Sequence, residues 1–491
     1  MNFSIEIKFN FRLVLKILGA LALLESFFLL VSGVVAIYFS ESEKIYFLIS
    51  FVIAFAVGFA GIMCGRNAST QIGKREGSAV VTLTWIVFSF IGMLPYWISG
   101  NIPSFTNAFF ETISGFTTTG SSILDDVEIM PRSILFWRSM THWIGGLGII
   151  VISLAILPIF GFSGSQLFSA EITGVNKEKI SPKISGTAKR LFAIYLSFTV
   201  AQTLLMWCFG MTLFDAVSNS LSTVATGGFS TKNASISYWN SPAIEWIVIG
   251  FMTVAGVNFT LFYFLFKGRI KKFFRDEELR TYLIIMAIAA ILVSISLLNI
   301  NDLSWQNINN TFRSSLFTVS SLMTTTGFYS VDYSGWTAAA FVLLLLTFIG
   351  GSASSTAGGM KVIRILLVFK YCYYEFKRIL HPHAVFPVRY NGKAVTEQII
   401  TRMLAYVLMF VILSLLGSAV LCFNGLGFEE SISAMVSSLA NVGPGLGRLG
   451  PIESYSSIPT FSKWFLSFVM LIGRLELFTV LLIFTPEFWK K

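Results

Sequence analysis

The sequence predicts an all-α polytopic membrane protein: two N-terminal helices, then four repeats of helix, short half-helix with turn, and helix, set around a pseudo-four-fold axis. Three observations carry this. Only 12% of the 491 residues are charged and 55% are hydrophobic, with a mean hydropathy of +0.75. Soluble domains carry about 25% charged residues, so this chain has too few for a water-facing surface of its size. Apolar runs of about 20 residues or more recur along it, enough to cross a hydrocarbon core of about 30 Å. Finally, four short amphipathic stretches run into glycine turns, and the glycines Gly120, Gly227, Gly327 and Gly443 are spaced 107, 100 and 116 residues apart.

Apolar patterning gives spans at roughly 12–39, 45–63, 78–98, 133–158, 188–209, 241–266, 280–298, 336–369, 400–423 and 464–486. The first follows Lys8, Arg12 and Lys16. Its apolar run is longer than the core of a secretory leader, so it reads as a retained helix. Residues 1–77 hold the two leading helices, and the repeats fall at 78–158, 188–266, 280–369 and 400–491. With the N-terminus inside, 27 of the 35 Lys and Arg residues lie on the cytoplasmic side, which satisfies the positive-inside rule. Both termini are then cytoplasmic. The same orientation puts 13 of the 25 acidic residues outside, an acidic mouth that attracts cations. The net charge of +10 thus reflects topology, and nothing in it calls for nucleic acid.

Each repeat keeps the same in–out–in orientation, so the axis relating them runs along the membrane normal, as in a pore. The segments before the glycines are Thr106–Phe116, Phe214–Thr223, Phe312–Met323 and Phe428–Leu439. They are too short to span and suit re-entrant helices. Glu111, Asp215, Glu429 and Glu430 sit toward their N-termini, where the helix dipole favours negative charge. Their negative C-terminal ends would then face the axis and favour a cation there. The turns read Thr117-Thr118-Thr119-Gly120, Val224-Ala225-Thr226-Gly227, Thr324-Thr325-Thr326-Gly327 and Ala440-Asn441-Val442-Gly443. Extended backbone at membrane depth must line a cavity or be buried in protein. Rings of its carbonyls can replace the hydration shell of an alkali cation. Glycine permits positive φ, so neighbouring carbonyls can point the same way. Ion conduction is the function these features imply.

In these motifs the chain resembles the Trk/Ktr/HKT superfamily of potassium transporters, most closely its TrkH/TrkG branch, over essentially its whole length. The two leading helices favour that branch over the shorter KtrB type. The resemblance implies that one glycine per repeat marks a selectivity filter and that the two preceding residues give potassium-coordinating carbonyls. Carried over, these are Thr118 and Thr119, Ala225 and Thr226, Thr325 and Thr326, and Asn441 and Val442, with Gly120, Gly227, Gly327 and Gly443. Related plant members with serine at the first glycine move sodium, so Gly120 implies potassium. The resemblance further implies a homodimer in a bacterial inner membrane, seated on a cytoplasmic TrkA-type nucleotide-binding ring. Potassium would be cargo, with no bound cofactor.

The 336–369 span is interrupted by Gly350, Gly351 and Ser352 through Gly358 and Gly359, residues that weaken a helix. A break there puts flexible backbone across the pathway, and the family has an intramembrane gating loop at the matching place. A close helix-packing patch is the alternative. Arg474 lies mid-span, where a charge costs at least about 2.5–3.5 kcal/mol. It reads either as a barrier in the gate, as the family implies, or as a snorkelling side chain. Lys361 reads as a cytoplasmic-end charge with a possible part in gating. Arg138 and His142 have structural hydrogen bonding as their simplest role; Glu25 pairs with a neighbouring helix or serves assembly. The three histidines and four cysteines lack metal-ligand or disulfide spacing, and no Walker A motif or dinucleotide-binding fingerprint occurs. An enzyme would need an acid–base cluster that is missing here. A potassium symporter coupled to protons or sodium is the nearer rival; only Arg474, Lys361 and Glu476 are ionisable in positions that could serve it.

Overall fold

The computed structural model describes residues 9–68, 73–146, 184–298 and 304–489. It is almost wholly helical, and among the described residues six helices are long and apolar enough to cross a membrane, or eight if two bent pairs each count as one span. The leading pair, α1 (Phe11–Tyr38) and α2 (Lys44–Cys64), packs backbone to backbone. A Cβ on Gly19 would lie 2.6 Å from the Gly58 carbonyl oxygen, and one on Gly61 would lie 2.9 Å from Gly19 Cα. Without a hydrophobic drive inside lipid, such close approach of small residues is what joins two helices. On its other side α2 leaves Leu48, Val52, Phe55 and Phe59 exposed, as a lipid-facing surface requires.

The first repeat runs through α3 (Lys74–Gly92), α4 (Leu94–Ile98), the half-helix α5 (Phe105–Phe116) and α6 (Arg132–Gly146). The expected 133–158 span continues past Gly146 outside the described residues. The second holds α7 (Ile184–Cys208), half-helix α8 (Leu213–Val224), α9 (Pro242–Ala255) and α10 (Phe259–Phe266), followed by a short α11 (Ile270–Phe274). The third holds α12 (Glu277–Leu297), half-helix α13 (Trp305–Met323), α14 (Thr337–Ile349) and α15 (Val362–Leu380). A two-stranded hairpin, β1 (Arg389–Tyr390) with β2 (Lys393–Ala394), leads to the fourth, with α16 (Glu397–Phe423), half-helix α17 (Phe428–Ala440), α18 (Thr460–Arg474) and α19 (Phe478–Leu481).

The half-helices start where their sequences carry an N-terminal acceptor. Ser104, Thr212 and Ser304 accept hydrogen bonds from Asn107 N, Asp215 N and Asn307 N, and Glu430 Oε2 accepts from Gly427 N at 3.1 Å. Each cap satisfies an amide that the first turn leaves open. The third starts seven residues earlier than its hydrophobic pattern suggests, at Trp305, because Ser304 supplies the cap there.

Two inner helices expected to be continuous are broken. The 241–266 span bends by 99° between α9 and α10, and the 464–486 span bends by 110° after α18. The third inner helix breaks at 350–361, as its sequence predicts. The break between α9 and α10 satisfies its freed backbone through neighbours. Gly256 O accepts from Ser352 N at 2.9 Å, Ser354 O accepts from Phe259 N at 3.1 Å, and Asn258 Oδ1 caps α10 by accepting from Thr260 N at 2.9 Å. Broken backbone at membrane depth persists only with such partners. Here one break supplies the partners of another.

Candidate ion pathway: a ring of four turns above an intramembrane loop

Each half-helix ends in the same backbone figure. Thr118, Thr226, Thr325 and Asn441 all take the left-handed conformation, with φ of 54°, 56°, 55° and 56°. The next amide returns to its own half-helix: Thr119 N to Ser114 O, Gly227 N to Ser222 O, Thr326 N to Ser321 O and Val442 N to Ser437 O, all at 2.8–2.9 Å. One residue further, Gly120, Gly228, Gly327 and Gly443 have φ of 82°, 84°, 80° and 107°. A left-handed L-residue costs roughly 1–2 kcal/mol, so glycine is the residue this last position favours.

The turns close on one another. A Cβ on Gly120 would sit 2.0 Å from Gly227 O; on Gly228, 2.1 Å from Thr326 O; on Gly327, 2.2 Å from Val442 O; on Gly443, 2.6 Å from Thr119 O. First touches second, second touches third, third touches fourth, and fourth returns to the first. This is a closed ring of backbone, buried except at Gly120 and Gly228, which are half-buried. Its members also bond sideways, Ser121 Oγ to Gly443 O at 3.0 Å and Asn441 Nδ2 to Thr119 Oγ1 at 2.9 Å.

The ring corrects the second turn by one residue. The glycine equivalent to Gly120 is Gly228, while Gly227 stands with Thr119, Thr326 and Val442, and Ala225 stands with Thr117 at the helix end. The run Thr226-Gly227-Gly228 offers two glycines, and only closure against Thr326 O decides which takes positive φ. Gly227 is required for another reason: a Cβ there would lie 2.2 Å from His142 Nδ1.

Side chains of α6 back the first two turns. Arg138 Nε meets Glu111 Oε1 at 2.7 Å with both side chains buried. Glu111 also accepts from Ser122 Oγ and Ile123 N at 3.0 and 2.9 Å. His142 Nδ1 lies 2.8 Å from Ser222 Oγ, and its ring stacks on Phe229 at 4.0 Å. Outside the ring is a cavity of about 100 Å³ walled by Gly120, Gly228, Gly327, Gly443, Asp125 and Tyr455. Hydrogen bonds from Ser454 and Ser456 hold the Asp125 carboxyl below the usual carboxylate range, so this mouth stays anionic at neutral pH.

Beneath the ring, the segment between α14 and α15 is tied to many elements by single bonds. Gly358 N donates to Thr325 Oγ1 at 2.6 Å and Gly359 N to Ala440 O at 2.9 Å. Thr356 Oγ1 bonds Val224 O and Ala255 O at 3.1 and 3.2 Å. Arg474, at the end of α18, donates to Thr356 O at 2.9 Å and to Gly145 O and Gly146 O at 2.5 and 2.8 Å. Lys361 Nζ bonds Ala357 O inside the same loop.

The pattern of the TrkH family, described as a cation transport protein, matches residues 43–491. The Trk system potassium uptake protein TrkH of Salmonella typhimurium is 38% identical over 489 residues, covering 98% of this chain and all of that protein. TrkG of Escherichia coli K12 is 33% identical over 98% of this chain and 99% of its own. The crystal structure of the potassium transporter TrkH from Vibrio parahaemolyticus superposes with a TM-score of 0.86 at 35% identity, covering 98% of this chain and all of that one. The chain belongs to the TrkH family. It is a multi-pass membrane protein of a transport family and not an enzyme.

In this TrkH-family protein the sequence-named residues fall into two layers. Thr118, Thr119, Gly120, Thr226, Gly227, Thr325, Thr326, Gly327, Asn441, Val442 and Gly443 form the ring, with Ala225 just behind it. Gly350, Gly351, Ser352, Gly358, Gly359, Lys361 and Arg474 gather in the layer below. Arg474 does not snorkel: its Nη1 and Nη2 donate to the carbonyls of Thr356, Gly145 and Gly146. The Glu25 carboxyl lies beside Gly92, buried and without a hydrogen-bond partner among the described residues, so it faces inward and not an assembly surface. Glu278 was missed by sequence reasoning. Its Oε1 accepts from Ala353 N in the loop at 2.6 Å; as an acidic residue in the first turn of α12 it carries no sequence signal beyond a helix start. The β1–β2 hairpin was also missed, although Asn391-Gly392 is a two-residue turn signal; both residues have positive φ, and Asn391 bonds Asp276 and the Glu277 amide beside the loop.

Proposed function

We propose that this chain is the potassium-conducting membrane subunit of a Trk-type uptake system, with the ring as selectivity filter and the 350–361 segment as gate. The closed ring of four equivalent turns carries the reading. Its left-handed residue followed by extended and positive-φ residues turns successive carbonyls toward one axis, and such carbonyls exchange for the water around an alkali cation. In the observed register the coordinating carbonyls belong to Thr118 and Thr119, Thr226 and Gly227, Thr325 and Thr326, and Asn441 and Val442. Four half-helix C-termini and the anionic mouth at Asp125 supply favourable field for a cation entering from outside.

Below the filter, the Arg474 guanidinium is a positive charge in a cation path and pins the loop through Thr356 O. Opening requires release of Arg474 and of the single bonds at Thr356, Gly358 and Gly359. Hydrogen bonds from a charged donor are worth about 1.5–3 kcal/mol each, so the closed state is favoured until something on the cytoplasmic side alters it. The relatives are named as parts of a Trk system. A cytoplasmic nucleotide-binding ring of TrkA type acting on a homodimer of this chain in the bacterial inner membrane is the partner that suits that demand.

The test is cation flux into proteoliposomes, comparing potassium, sodium and chloride for the wild type and Gly120→Ser. Potassium-selective flux, lost or relaxed toward sodium in the variant, is expected. Unchanged potassium flux in Gly120→Ser overturns the filter assignment. Uphill potassium uptake driven by an imposed proton gradient overturns the channel-like mechanism in favour of symport.

A further inference from the structure

The ring is not equally braced around its circumference. Register puts the residue eight positions before Thr119, Gly227, Thr326 and Val442 at Glu111, Asn219, Thr318 and Ala434. Only the first half-helix carries a charge there. Glu111 is fully buried, and it meets Arg138 of α6 at 2.7 Å. Arg138 reaches three further groups. It donates to Ser122 Oγ at 3.1 Å, just past the first turn, and to Ser230 O at 3.3 Å, just past the second. Its guanidinium carbon lies 3.8 Å from the Phe229 ring centroid, while His142 stacks on the same ring at 4.0 Å. Two groups so close to one centroid must occupy opposite faces, so Phe229 is clamped between residues four apart on α6. Phe229 directly follows Gly228.

We propose that the Arg138–Glu111 pair is a positioning element that fixes the first turn against the second and thereby sets potassium-over-sodium discrimination. The inference rests on the reading of the ring as a potassium filter. A ring that holds its width coordinates the larger ion and resists shrinking onto the smaller one. If the first and second turns can approach, that resistance is lost at one side and sodium is accommodated. The third and fourth half-helices carry charged pairs too, Arg313–Glu245 at 2.7 Å and Arg448–Glu430 at 3.6 Å, but these sit 11 and 10 residues before Thr324 and Ala440, whereas Arg138 reaches the residues just past the first two turns. Arg138 acts through backbone and aromatic neighbours and does not itself contact the ion. Its charge is offset by Glu111, so a variant that removes one partner leaves an uncompensated charge beside the filter as well as a loosened turn.

The experiment measures potassium and sodium flux into proteoliposomes for the wild type, Glu111→Gln, Arg138→Lys and the neutral pair Glu111→Gln/Arg138→Gln, with the melting temperature of each purified protein in potassium and in sodium. Each single variant is expected to lower the potassium-to-sodium flux ratio by roughly tenfold, the size of one lost charge-assisted hydrogen bond. The neutral pair, which keeps hydrogen bonding without an unpaired charge, is expected to recover most of the ratio and the potassium-specific rise in melting temperature. Lower melting temperatures with an unchanged flux ratio would show a merely structural pair and overturn the proposal, as would a neutral pair no better than the singles. If Glu111→Gln does not accumulate, Ser122→Ala removes the hydroxyl bonded to both partners, and an unchanged ratio there overturns the proposal. A wild type without potassium preference removes the filter reading itself, whatever the variants do.

Discussion

The ring and the loop beneath it are both irregular backbone at membrane depth, yet they are held in opposite ways. Every turn of the ring bonds back to the half-helix that delivers it and presses on the next turn with no room for a Cβ. Moving one turn therefore means moving its helix and its neighbour. The loop bonds mostly outward, through one contact each to α8, α9, α12, α17, α18 and the third turn and two more to the break between α9 and α10. Any of those can be lost while the rest remain. The lesson is that rigidity at depth comes from closure and local return bonds, and mobility comes from dispersed single tethers. A filter needs the first and a gate needs the second.

The comparison can be broken most severely at Gly120. Gly120→Ala puts a Cβ into the Gly227 carbonyl at a φ of 82°, and selective potassium uptake should fall by roughly 100-fold or more, read by flux and by loss of potassium-dependent thermal stabilisation. The corrected register is sharpened next. Gly228→Ala meets backbone at Thr326 O, whereas Gly227→Ala meets the His142 side chain. His142→Ala should restore much of the uptake lost in Gly227→Ala and none of that lost in Gly228→Ala. Equal rescue of both would return the register to Gly227.

Smaller effects are expected below the ring. Arg474→Gln removes charge-assisted bonds to Thr356 O, Gly145 O and Gly146 O. Potassium leak without any cytoplasmic partner should rise by roughly tenfold while the potassium-to-sodium ratio stays constant, because the filter does not depend on that residue. A shifted ratio would mean that the two layers are one unit. Thr356→Val loses two neutral hydrogen bonds, worth about 1 kcal/mol each, and should raise the same leak only severalfold.

Much of the architecture was legible because it follows from composition and spacing. Apolar length and low charge fixed the class, and four recurring turns pointed to the repeats. The 350–359 run announced its own break through glycines and small polar residues. The breaks after Ala255 and after Arg474 were not legible, since neither sequence departs enough from an apolar helix. They exist because Ser352 N and Ser354 O are there to satisfy backbone at Gly256 and Phe259, and because Arg474 is held by carbonyls of α6 and the loop. The brace behind the ring was legible only in part. Arg138 drew attention as a charge within an apolar span and Glu111 as an acidic residue toward a half-helix N-terminus, but a separation of 27 positions hid that they face one another.

By itself the sequence determined what local chemistry can determine: which segments prefer lipid, that four short half-helices run into glycine turns, and that the 350–359 run interrupts its helix. Tertiary structure alone decided which of Gly227 and Gly228 closes the ring, that the helices after Ala255 and Arg474 break, and which carbonyls receive Arg474. The reason is physical. Burial in lipid and helix capping depend on neighbours a few residues away, whereas the sign of φ at a glycine and the fate of a broken backbone amide depend on what lies across the axis, in segments far away along the chain.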